Sequence, residues 1–283
     1  MFQPVIRVAL ATTLAIGVAG CQGPEEDLEK TIVGVVDESD LNSIMLTVAD
    51  PNAAVEYFSN AVAKDPTRID LHRGLGKSYI RAQQGANAAA VYETILGMEG
   101  TEPQDRVDYA DALVRINEWE RAEIELDKVP PSVETFQRYR LEALIADANK
   151  EWKTADAFYE TAKNLTSQPA SILNNWGYSK LTRGDFQGAE ALFAEAIRHN
   201  NRMFVAKNNM ALARASQKNY TLPVIPMTET EKAKLYYTLG LSAVKQGDRE
   251  TGVRLMQKAV ETHPEFFREA QQSLNALTGT VSN

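Results

Sequence analysis

Three stretches of this chain carry one pattern: "NAAVEYFSNAVAKDP" at 52–66, "QGAEALFAEAIRHNN" at 187–201 and "ETGVRLMQKAVETHP" at 250–264. In each, a small residue, a large apolar residue and an alanine follow at spacings of four and three: Ala54, Phe58, Ala61; Ala189, Phe193, Ala196; Gly252, Met256, Ala259. That spacing sets all three on one stripe of a helix. Ahead of the last two stretches lie "WGYSKLTRGDF" and "LGLSAVKQGDR", in which a glycine precedes a Gly-Asp pair by seven residues. The second glycine ends one helix cheaply and the aspartate caps the next. A sequence that repeats helix, turn and helix in fixed phase is confined to stacked architectures, because one such unit cannot bury its apolar face alone.

These residues resemble the tetratricopeptide repeat, a 34-residue helix-turn-helix unit. Its frame lies over 35–68, 69–102, 103–135, 136–169 and 170–203, with one residue lost near Pro130 and Pro131. The Gly/Ala place of the first helix is filled by Gly76, Ala110, Ala143 and Gly177. The small place of the second helix is filled by Ala54, Ala88, Ala122, Ala155 and Ala189. Bulky replacements there overpack the helix pair by roughly 1 to 3 kcal/mol. The resemblance implies an all-α fold, a right-handed tetratricopeptide-repeat superhelix of antiparallel helix pairs. The first unit departs from the pattern at Asn42, which points to a capping role for its first helix. A sixth first helix is predicted within 204–222 without a partner, since Pro223 and Pro226 exclude a helix after it. The expected organisation is therefore repeats over 35–222, a Pro-containing linker over 223–232, and a last repeat with a terminal helix over 233–283.

The N-terminus has a separate logic. One positive charge, Arg7, precedes an apolar run from Val8 to Val18, which is too short to span a bilayer and is laid out like a secretory leader. Val18, Ala19, Gly20 and Cys21 then resemble the lipobox of bacterial lipoproteins. The resemblance implies cleavage after residue 20, a diacylglycerol thioether on Cys21 and acylation of the new amine. The alternative, a buried apolar thiol, fits poorly with the Gln22, Gly23, Pro24, Glu25, Glu26, Asp27 run that follows. Expected boundaries are a leader over 1–20 and a lipidated acidic tether over 21–34. Gln22, where an aspartate tends to signal inner-membrane retention in such lipoproteins, directs the expectation to the outer membrane, facing the periplasm.

Catalytic and nucleic-acid chemistries find little support. The net charge is -8 and Lys and Arg are scattered, so the basic stripe that phosphate backbones require is missing. "GLGKS" at 74–78 imitates the end of a phosphate loop, but the first glycine's place is Leu71 and Gly76 falls in the helix-packing place. His72, His199 and His263 occupy unrelated phases of the repeat, and one cysteine with three such histidines makes no metal framework. Neither enzyme activity nor a cofactor is expected, apart from the covalent lipid on Cys21.

An asparagine register is what stands out. Asn174 and Asn175 recur one period later as Asn208 and Asn209, and one period earlier the first of them is Arg140. In tetratricopeptide proteins that bind extended peptides, this part of the first helix faces the groove. An amide there offers donor and acceptor to a peptide group, and Arg140 could clamp a carboxylate. Tyr178 and its counterpart Leu212 would supply walls. The same asparagines also suit hydrogen bonding between helices. From about residue 170 on, notably over "LPVIPMTETEKAKLYYTLGLSAVKQGDRETGVRLMQKAVETHPEFFREAQQSLNAL", the chain is similar to the TadD-type lipoproteins of the Tad (tight adherence, Flp pilus) secretion system. That resemblance implies a membrane-anchored adaptor whose partner is a secretin or another pilus-assembly protein, acting in the manner of a pilotin. The rival readings are a repeat lipoprotein regulating a cell-wall enzyme or β-barrel insertion, and a hydrolase with an unrecognised site.

Overall fold

The computed structural model describes residues 40–279. Cys21, the leader expected over 1–20 and the tether expected over 21–34 lie outside the described residues. Everything regular among the described residues is helical. The first two helices are α1 (40–47) and α2 (Pro51–Lys64). Four pairs follow: α3 (Ile69–Arg81) with α4 (Gly85–Ile95), α5 (Pro103–Arg115) with α6 (Trp119–Asp127), α7 (Phe136–Ala148) with α8 (Trp152–Asn164), and α9 (Ala170–Thr182) with α10 (Phe186–His199). Then come the unpaired α11 (Phe204–Ser216), the hairpin α12 (Glu229–Lys245) with α13 (Arg249–Thr262), and α14 (Arg268–Thr278). No helix among the described residues is long and apolar enough to cross a membrane.

The core repeats as the sequence does. Each second helix buries a small residue and, four positions on, a large one: Ala54 and Phe58, Ala88 and Tyr92, Ala122 and Leu126, Ala155 and Tyr159, Ala189 and Phe193, Gly252 and Met256. The first helix meets that large side chain with a residue that leaves room for it. A Cβ placed on Gly177 would sit 2.7 Å from the Phe193 ring, and one on Gly76 would sit 2.8 Å from the Tyr92 ring. Only hydrogen fits at such separations. In the divergent first unit, Asn42 instead accepts a hydrogen bond from the Tyr57 hydroxyl at 2.8 Å, so a polar contact holds α1 to α2.

The sixth unit starts like the others and then stops. Lys218 turns the chain in the left-handed region at φ 59, as Gln83, Asn117 and Lys150 do after their first helices. Asn219 takes the cap position, its Oδ1 accepting from Thr221 N at 3.2 Å and from Thr221 Oγ1 at 2.7 Å. Pro223 and Pro226 prevent helix propagation, and residues 217–228 form an irregular strap. Tyr220, Leu222 and Met227 pack on the cluster around Leu235, Leu239 and Leu255, while Ile225 reaches the cluster around Phe193. The repeat frame places the next unit at 233, yet α12 begins at Glu229, one turn earlier. The linker expected over 223–232 thus ends at Thr228. A reciprocal capping box sets this start: Thr228 Oγ1 accepts from Glu231 N at 3.2 Å and Glu231 Oε2 accepts from Thr228 N at 2.9 Å. Glu231 also receives two hydrogen bonds from the buried Lys207 ammonium of α11, at 3.1 and 2.9 Å. At the C-terminus, α14 packs on α13 and ends in a left-handed Gly279 at φ 75.

Candidate partner-binding groove

The first helices of three consecutive repeats, α7, α9 and α11, together with the starts of α6 and α8, enclose an open groove of about 520 Å³. Its walls are apolar: Trp119 and Trp152 from the first positions of α6 and α8, Leu144 from α7, Tyr178 from α9 and Val205 from α11. Tyr178 and Val205 are each about half exposed, at 54% and 51%. Such large apolar surfaces left facing solvent on facing walls mark an interaction site more than a packing defect.

Amides form the polar part of the lining. Asn174, Asn175 and Asn209 all reach the groove. Asn209 Nδ2 donates to Asn174 Oδ1 at 3.1 Å across the α9 and α11 contact, so this pair also ties one repeat to the next. The Asn174 amide hydrogens keep their donor capacity. The Asn175 side chain makes no hydrogen bond among the described residues and offers both donor and acceptor to an incoming chain. At the floor, Asp147 accepts from Tyr159 Oη at 2.7 Å and from Ser179 Oγ at 2.6 Å. Burial, followed by the charge of Asp147, pushes the Tyr159 phenol well above its ordinary range. With both oxygens engaged, Asp147 serves to fix the floor and is poorly presented as a general acid or base.

Behind the wall, Tyr159 stacks on Trp176 with ring centroids 6.1 Å apart. Trp176 Nε1 donates to Asp156 at 2.6 Å, and Arg183 and Lys180 converge on the same carboxylate at 2.5 and 3.2 Å. Burial acts to raise the Asp156 pKa, but the Trp176, Arg183 and Lys180 donors together outweigh it and hold the carboxyl below its usual range. Arg183 also lies over the Trp152 ring at 5.7 Å, bracing a groove wall from outside.

The residues expected from the sequence divide into two sets. Asn174, Asn175, Tyr178 and Asn209 converge on the groove. Arg140, Asn208 and Leu212 do not line it. Arg140 Nη2 donates to Asp111 of α5 at 2.6 Å, a carboxylate that also takes Arg115 at 3.1 Å, so its guanidinium is held between repeats. Asn208 accepts from Thr238 Oγ1 of α12 at 2.7 Å, and Leu212 is half-buried. No basic side chain among the described residues lines the groove. The side chains that sequence reasoning passed over are Trp119 and Trp152. Their signal was the recurrence of Glu118-Trp119 as Glu151-Trp152, one unit apart at the opening of successive second helices.

Helix pairs stacked in register around such a groove define an α-solenoid scaffold. The fold is the tetratricopeptide-repeat superhelix, and residues 46–105 match the tetratricopeptide repeat family model. No curated protein sequence matches the chain. Among solved structures, the chain resembles the APC/C hetero-tetramer Cut9-Hcn1 with a TM-score of 0.61 at 12% identity, covering 83% of this chain and 48% of that one. It therefore spans about half the length of that relative. A tetratricopeptide repeat protein from Parabacteroides merdae gives a TM-score of 0.52 at 16% identity, covering 89% of this chain and 98% of that one. PilF of Pseudomonas aeruginosa gives 0.50 at 16% identity, covering 74% of this chain and 96% of that one. At these identities the likeness is one of fold.

Proposed function

We propose that this protein is a lipid-anchored adaptor that holds a segment of a partner protein in the groove between α7, α9 and α11. The observation that carries the reading is the free amide of Asn175 set among Trp152, Tyr178 and Val205. Amide groups engage a peptide backbone while the aromatic walls take an apolar side chain, which is the division of labour of a peptide site. The lining lacks a cation, so the bound segment is an internal stretch with an aliphatic or aromatic anchor, and a terminal carboxylate is not what the groove selects. The resemblance to TadD-type lipoproteins supports a secretin or another Tad/Flp pilus component as the partner, with the adaptor acting like a pilotin. Lipidation at Cys21 would keep the bound segment at the outer membrane at raised effective concentration, and binding would stabilise the partner by mass action.

The test is copurification of the secretin with the protein from cell-envelope extracts. Wild type should recover it, and Trp152→Ala/Asn175→Ala should lose most of it while retaining helical content. Undiminished recovery would remove the groove from the mechanism. Independently, Cys21→Ser should abolish incorporation of labelled fatty acid and outer-membrane residence; a mutant that stays in the outer membrane would refute the anchor.

A further inference from the structure

The aborted second helix of the sixth unit leaves a second cavity, which shares no lining residue with the groove. It measures about 540 Å³ and lies between the strap, at Lys218 to Leu222, and the helices α12 and α13. Three cations stand on its rim, Lys218 from the strap and Arg254 and Lys258 from α13, and no carboxylate lines it. None of the three has an ion pair among the described residues. Arg73, Arg106, Arg140, Arg183, Lys207 and Arg214 each have a carboxylate within 3.1 Å, whereas scattered cations such as Lys64, Lys150 and Arg198 share the unpaired state among the described residues without being gathered on one cavity. Arg254 and Lys258 are four residues apart on α13. Like charges at that spacing repel; Asp248 acts on Arg254 from a distance, but neither cation has a carboxylate in ion-pair contact among the described residues.

The walls add uncharged donors. Tyr220 and Tyr236 are half-buried, and neither phenol makes a hydrogen bond among the described residues. Lys258 Nζ lies 5.6 Å from the centre of the Tyr236 ring, and the buried Leu255 forms an apolar patch in the lining. The cavity thus combines three cations, two free phenol donors and a small apolar patch. A lipid headgroup layer is met by projecting basic side chains on a flat or convex surface. Donors and an apolar patch recessed in a cavity suit a chain that presents carboxylates beside an aliphatic side chain.

We infer that this cleft is a second docking site, which takes an acidic segment of a partner protein whose carboxylates flank an aliphatic residue. The carboxylates meet Lys218, Arg254 and Lys258, and the aliphatic side chain rests on Leu255. Occupation relieves the repulsion between Arg254 and Lys258. The site is independent of the groove and of what the groove binds.

The probe is a fluorescein-labelled Glu-Asp-Leu-Glu-Asp peptide, titrated with the full-length protein and followed by anisotropy. The wild-type protein should bind it, the affinity should fall as salt rises, and a Gln-Asn-Leu-Gln-Asn peptide should not bind. Arg254→Glu/Lys258→Glu should weaken binding by at least about tenfold, whereas Trp152→Ala in the groove should leave it unchanged. Lys218→Glu, placed outside any helix, provides the same readout should the double variant lose its fold. Equal affinity in a folded charge-reversal variant, equal affinity for the amide peptide, or no binding of the acidic peptide at millimolar concentration overturns the inference. So does co-sedimentation with phosphatidylglycerol vesicles that depends on Arg254 and Lys258 and is not displaced by the acidic peptide.

Discussion

Six residues end the first helix of a unit in the left-handed region, and they are chemically unequal. Gly184 and Gly247 adopt φ 86 and 87 without penalty, while Gln83, Asn117, Lys150 and Lys218 hold φ 59 to 63 with a Cβ in place. The side-chain-bearing positions are strained by the stacking of neighbouring repeats, which dictates the turn whatever residue occupies it. Lys150→Gly should therefore raise the free energy of unfolding by about 0.5 to 1 kcal/mol, and Gly184→Ala should lower it by about 1 kcal/mol. Urea denaturation of the two variants checks both, and the same sign for both would discard the argument. The sequence made Gly184 and Gly247 conspicuous as turn formers. It left the other four hidden, because only the repeat frame reveals that Lys150 and Gly184 do one job. The same limit applied to Arg140: it shares a register with Asn174 and Asn208, but Asp111 on the preceding first helix captures it.

Between elements, the contact that matters most is the one that replaces a missing helix. Lys207 is nearly inaccessible, with 3% of its side chain exposed, and Glu231 is its partner across the α11 and α12 contact. Removing the carboxylate alone strands a buried ammonium and opens the capping box. Glu231→Ala should cost about 3 kcal/mol or more, whereas Lys207→Met, which removes the buried charge and keeps its volume, should cost much less. Thermal and urea melts of the pair test this, and equal losses would contradict it. Burial works to raise the Glu231 pKa, but the Thr228 amide and Lys207 ammonium together outweigh it and leave the carboxyl below its usual range. A depressed folded pKa gives stability that is full above the unfolded carboxylate pKa and is lost as pH falls through the folded value. Acid should therefore narrow the gap between wild type and Glu231→Ala. The early start of α12 was not legible from the repeat frame, since Thr228 and Glu231 set it locally. The strap itself was legible, because two prolines within four residues admit no helix.

At the scale of the whole molecule, a solenoid is held by neighbour-to-neighbour contacts, so one defective unit divides it into stretches of unequal stability. From α2 to α10 every unit continues the same small-on-large packing. Beyond α11 the chain continues through the strap, the Lys207 and Glu231 pair, and the packing of α12 on α11. Native-state hydrogen exchange should show the amides of α12, α13 and α14 opening together, at a lower free energy than those of α5 through α10. A single common opening free energy across all these helices would show that the strap transmits stability as well as a full repeat does. The phase of the repeat was legible because six second helices bury a small residue and, four positions on, a large one. The groove was only half legible, because its amides follow the first helix while its tryptophans follow the second. Those tryptophans have a use. The chain contains three, and two line the groove while the third, Trp176, stacks on the Tyr159 ring that closes its floor. All indole emission of this protein therefore originates at or directly beneath one surface, so an unlabelled sample carries its own optical reporter of whether that surface is occupied.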